Sequence, residues 1–87
     1  MVSKKVVVKN KSGLHARPAS ELAKVAMKCN SDVVIKVGER KVNPKSILNL
    51  MSAAIKCGTE ITVECIGDKE NEDLSAIILS IEGGLGE

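Results

Sequence analysis

The 87-residue chain contains no Phe, Tyr or Trp. Without aromatic rings it lacks the platforms on which bases and sugars stack, which argues against direct nucleic-acid binding. No apolar run approaches the roughly 20 residues that a membrane-spanning helix needs. The opening MVSKKVVVKNKSG also lacks the apolar region and small-residue cleavage site of a signal peptide. A cytoplasmic protein with no membrane insertion is expected. Cys29, Cys57 and Cys65 are odd in number and widely spaced, so neither a disulfide framework nor a CxxC pair is indicated, and all three read as small buried hydrophobes. His15 is the single histidine, which excludes a histidine pair and an HExxH zinc helix; there is likewise no Walker loop and no GxGxxG turn. A zinc set of His15 with the three cysteines matches no standard module in its spacing, so no metal and no cofactor are expected.

What remains is a chain with 44% hydrophobic and 28% charged residues, ordinary for a folded soluble protein with an aliphatic core. Its length fits one domain over residues 1–87, too small for a deep substrate cleft. The net charge of +2 is unevenly spread, about +9 through Gly58 and −7 from Thr59 onward. A basic half steers acidic or phosphorylated partners by long-range attraction that salt weakens.

Val2 to Val8 is a β-branched strand candidate ended by the polar run Lys9 to Gly13. From Ala16 the period changes: Ala16, Ala19, Leu22, Ala23 and Ala26 recur at helical spacing, with Arg17, Glu21, Lys24 and Lys28 on the other face. Asp32 to Val37 and Arg40 to Asn43 flank Gly38 and Glu39, a two-residue turn that suits a tight hairpin. Beyond Pro44, the residues Ile47, Leu50, Met51, Ala54 and Ile55 predict a helix capped by Ser46 and closed by Gly58. Glu60 to Ile66 alternates as a strand with one buried face, and Leu74, Ile77, Ile78 and Ile81 mark a last helix with Glu70, Glu72 and Asp73 near its positive end. The terminal GGLGE reads as a helix stop followed by a frayed tail. The order βαββαβα implies an α+β fold, mainly antiparallel, with its helices on one face of the sheet.

The stretch SGLHARPAS, Ser12 to Ser20, carries the chemistry. A helix starting near Ala16 puts His15 at the N-cap and Arg17 and Pro18 in the first turn. Proline costs little there, because the first amides of a helix have no internal partner. The amides of Ala16 and Arg17 then face an anion, alongside the helix dipole, a guanidinium fork and a nucleophilic imidazole. Together these describe a phosphoryl-accepting histidine; the competing reading is a capping histidine beside a solvated arginine. Ser46 reads first as an N-cap, and as a kinase target it would place a phosphate at a helix end that tolerates negative charge. Ile47, Leu48, Leu50 and Met51 exceed one buried stripe, leaving either an exposed docking patch or a wide core face.

The motifs GLHARPA (Gly13 to Ala19) and KSILNLM (Lys45 to Met51) resemble those of the HPr family, the small phosphocarriers of the bacterial phosphoenolpyruvate-dependent sugar phosphotransferase system. The resemblance spans nearly the whole chain, including ILNLMSAAIKCGTEI and the later Gly67-Asp68. It implies an open-faced β-sandwich: a four-stranded antiparallel sheet with three helices packed on one face. It further implies a monomeric carrier rather than an enzyme. His15 would be the phosphohistidine, modified on Nδ1 by enzyme I and discharged to sugar-specific IIA components, with Arg17 assisting. Ser46 matches the regulatory position that an HPr kinase/phosphorylase modifies, a form read by a catabolite-control transcription factor. Lys24, Ile47, Leu48 and Met51 match the partner-docking surface. A regulatory paralogue with glutamine in place of the histidine is not expected, because His15 is present. The alternative is a regulatory module acting mainly through Ser46.

Overall fold

A computed structural model describes residues 1–85. The strands are β1 (Val2–Val7), β2 (Asp32–Val37), β3 (Arg40–Val42) and β4 (Glu60–Ile66), and the helices α1 (Ala16–Met27), α2 (Ile47–Ser52) and α3 (Glu70–Glu82). The strands form one antiparallel sheet in the order β1-β4-β2-β3, which leaves β1 and β3 as its two edges. The expected α+β order and the four-stranded antiparallel sheet are both present. No helix among the described residues is long and apolar enough to cross a membrane.

Alternation decides which sheet face is covered. Val6, Val33, Ile35, Val42, Ile61, Val63 and Cys65 are buried, and the register sets Val6 opposite Ile61 and Ile35 opposite Val63. Against them pack Leu22 and Ala23 from α1, Leu50 from α2, and Ile77 and Ile81 from α3. Each fully buried Leu or Ile contributes about 1.5–3 kcal/mol by leaving water, so this aliphatic layer compensates for the missing aromatics. Gly38, with φ +61°, heads the β2–β3 turn as its position predicts.

The structure corrects four local expectations. The second helix stops at Ser52, not near Gly58. Ala54 turns the chain into the left-handed region with φ +52°, and Ile55 then reaches the core from a turn. Helical spacing beyond Ser52 thus records burial without recording helix. Cys57 is exposed, whereas Cys29 and Cys65 are buried as expected. Burial pushes both of those thiols up, Cys65 to about 11, so they remain unionised and inert. The GGLGE end is not frayed at Leu85, which is buried in the core; the last two residues of that stretch, 86 and 87, lie outside the described residues. Leu74, placed in the core stripe, is only partly buried.

A polar tie fastens the start of α3 to the loop after α1. The Ser31 hydroxyl and amide both donate to Asp73 Oδ2, at 2.6 and 2.9 Å, and Lys45 Nζ donates to the Ser31 carbonyl at 3.2 Å. The Ser31 hydroxyl, ahead of its amide, holds the Asp73 carboxyl below the usual carboxylate range. A lowered folded-state value means that the tie stabilises at neutral pH and is lost as the pH falls below the ordinary carboxylate range. The urea midpoint is expected to drop between pH 5 and pH 3, and to drop less in Asp73→Asn. Equal slopes in the two proteins would remove Asp73 as the cause.

Candidate functional site

His15 is the N-cap of α1, with extended backbone at φ −79° and ψ −167°, and its side chain makes no capping hydrogen bond. Its carbonyl accepts from the Ala19 amide at 2.9 Å. The sequence neighbours hold it in place from both sides. Leu14 and Pro18 are buried, while His15, Ala16 and Arg17 are exposed. The hydrophobic anchors thus turn an imidazole, a guanidinium and the first helical amides toward the same solvent. The first turn of α1 contains no acidic residue, unlike that of α3, which contains Glu70, Glu72 and Asp73. The positive end of the α1 dipole is therefore not offset by carboxylates of its own first turn.

A second segment meets this helix start. The Leu14 amide donates to the Ile55 carbonyl at 2.9 Å. Gly13 makes that approach possible: at φ +70°, a Cβ on it would lie 2.3 Å from Ile55 O and 2.9 Å from Lys56 Cα. On the other side, the Gly13 amide closes a turn onto the Asn10 carbonyl at 2.9 Å, and the buried Asn10 side chain donates through Nδ2 to the carbonyl of Gly84. The result is a shallow hollow of about 270 Å³ lined by Ser12, Leu14, His15, Met51, Ala54, Ile55 and Lys56.

Met51 therefore shares a surface with His15, as the docking expectation requires. On the same short helix Leu48 is 78% exposed and Leu50 fully buried. Ile47 and Met51 are each about two-fifths exposed. This decides against the wide core face: α2 buries Leu50 and presents three apolar side chains to solvent. Ser46 caps α2, its Oγ accepting from the Asn49 amide at 3.1 Å. Lys24 does not line the hollow; it lies about 13 Å farther along α1 by helical rise and pairs with Glu21 at 3.3 Å. Sequence reading missed Ala54, Ile55 and Lys56 as neighbours of His15. The one available signal was Gly13, a residue without a side chain just before the buried Leu14. Among the described residues no cluster of His, Cys, Asp and Glu could hold a metal ion.

The family model "PTS HPr component phosphorylation site" matches residues 2–82. The phosphocarrier protein HPr of Mycoplasma capricolum is 48% identical over 71 residues, covering 82% of this chain and 80% of that relative. The crystal structure of HPr-C-His from Thermoanaerobacter tengcongensis superposes with a TM-score of 0.94 at 37% identity, covering 100% of this chain and 98% of that one. A crystal structure of Bacillus subtilis Crh, described as a catabolite repression protein forming a swapped dimer, has a TM-score of 0.77 at 41% identity, covering 95% of each chain.

Proposed function

The chain belongs to the HPr family of phosphocarrier proteins, and from that premise we propose that His15 accepts a phosphoryl group from enzyme I and passes it to sugar-specific IIA components. Members of this family carry the group and do not turn over a small substrate of their own. One observation carries the assignment of His15: an exposed histidine stands at the N-cap position of a helix whose first turn holds Arg17 and no carboxylate. The imidazole nitrogen supplies the electron pair for the new P–N bond as the bond to the donor breaks. Arg17 and the amides of Ala16 and Arg17 bear the charge of the phosphoryl oxygens. Ile47, Leu48 and Met51 form the apolar docking surface beside the site, and Lys24 contributes charge at its margin. In this reading the protein works as a cytoplasmic monomer.

The test is incubation with enzyme I and radiolabelled phosphoenolpyruvate. An acid-labile, base-stable label supports the carrier role, and an unlabelled protein overturns it. A second reading draws on the similarity to Crh: a regulatory module that acts through Ser46, with His15 idle. That outcome shows as label from an HPr kinase/phosphorylase and none from enzyme I.

Ser46 also serves the carrier as a switch, modified by the kinase and read by a catabolite-control transcription factor. Aspartate caps a helix about as well as serine, so Ser46→Asp is expected to change stability by less than about 0.5 kcal/mol. Placing negative charge beside the docking surface lowers acceptance from enzyme I by about tenfold at low salt and less at high salt. Equal rates in mutant and parent would remove the switch.

A further inference from the structure

We propose that Lys56 is a second cation of the phosphoryl site, contacting the phosphoryl group of modified His15 from the hollow while Arg17 approaches from the helix. The inference rests on the carrier reading of His15. Its observations come from the segment after α2, which no motif in the sequence brings to the histidine.

Lys56 and His15 line the same hollow. Their proximity is fixed by backbone, because the 2.9 Å bond from the Leu14 amide to the Ile55 carbonyl joins the residues immediately before each of them. Gly13 brings the two segments closer still, with no side chain between its Cα and the Lys56 backbone. Lys56 is exposed and has no ion pair with any described residue. No carboxylate among the described residues lines the hollow. Among the described residues no carboxylate holds the ammonium before a phosphoryl group arrives.

A lysine suits this place. Its compact charge sits on a flexible stem with three donors, able to follow a phosphoryl group that is present in one state and absent in the other. Arg17 is confined to the first helical turn and does not line the hollow. Two cations from two segments therefore hold one dianion, and the loaded state is favoured over the discharged one.

Phosphoramidate provides a test independent of enzyme I. The imidazole nitrogen of His15 takes the phosphoryl group, the P–N bond of the reagent breaks, and its nitrogen leaves as ammonium with the imidazole proton. The phosphoryl resonance of the phosphoprotein is then titrated by ³¹P NMR, and its hydrolysis is timed at neutral pH. In Lys56→Gln the titration midpoint is expected to rise by about half a unit and hydrolysis to quicken about threefold, whereas Lys56→Arg keeps the parent values. A merely structural role for an exposed lysine moves neither quantity. Unchanged midpoint and hydrolysis in Lys56→Gln, or an arginine variant that behaves like the glutamine one, would overturn the proposal. A protein labelled by phosphoramidate but not by enzyme I sinks the carrier reading alone and leaves the lysine result readable. No labelling of His15 by either route overturns both.

Discussion

Alanine at position 15 is expected to leave a folded protein that takes no label from phosphoenolpyruvate through enzyme I. The fold survives because His15 is an exposed N-cap that lies outside the hydrophobic core, so truncation costs about 1 kcal/mol, as replacing a cap residue does. Anchoring of the loop falls to Leu14 and Pro18, both untouched. Acceptance disappears because the chain has no second imidazole to take over, and the remaining nucleophiles at the site are a weakly nucleophilic serine and a protonated lysine. The rate is expected to fall to background, at least about a thousandfold. Arg17→Ala keeps the nucleophile and loses a charge-assisted bidentate contact, which predicts a loss of about ten- to a hundredfold. Thermal melts alongside labelling separate the two causes: a His15→Ala protein that melts with the parent yet retains label would show that the phosphoryl group resides elsewhere.

Gly13→Ala is expected to damage stability and transfer together. The added Cβ would stand 2.3 Å from the Ile55 carbonyl oxygen, a backbone atom that cannot rotate aside. The φ of +70° adds about 1–2 kcal/mol of strain for any residue with a Cβ. Relief requires the Leu14 amide to leave Ile55 O, which unseats a buried leucine and the two segments that frame His15. The expected cost is about 3 kcal/mol or more, a fall of at least about 10 °C in Tm for a domain of this size. Gly38→Ala is the control, since Gly38 also has positive φ, at +61°, but nothing lies within 4 Å of its added Cβ. That variant loses only the strain. If both variants melt alike, the close approach of Gly13 to Ile55 is not what holds the site together.

Much of this architecture is legible in residue order because it depends on local period. The alternation of Glu60 to Ile66, the spacing from Ala19 to Ala26 and the Gly38 turn each follow from which neighbours are apolar, and the structure reproduces them. The start of α1 at Ala16 is legible for the same reason, and so is the capping position of His15. Contacts that join distant parts of the chain are not. Asn10 and Gly84 lie 74 positions apart, and Ser31 and Asp73 lie 42 apart, so no periodic pattern can relate them. Ile55 illustrates the limit. It falls on the apolar stripe that begins at Ile47, yet it is buried by a turn through Ala54 that ends the helix three residues earlier. Burial is readable from spacing, but the backbone path that achieves it is not, and here that path delivers Lys56 to the histidine.

The two strands left at the edges of the sheet bear on how concentrated the protein can become. Each exposes unpaired backbone donors and acceptors, a template for strand addition between copies. On β1 these are flanked by the exposed Lys4 and Lys5, and on β3 by the exposed Arg40 and Lys41. Two copies approaching edge to edge would bring cation against cation whichever edges meet. Electrostatic repulsion thus guards against fibril-like stacking, and a diffusing carrier of this kind can be abundant without its sheets adding to one another.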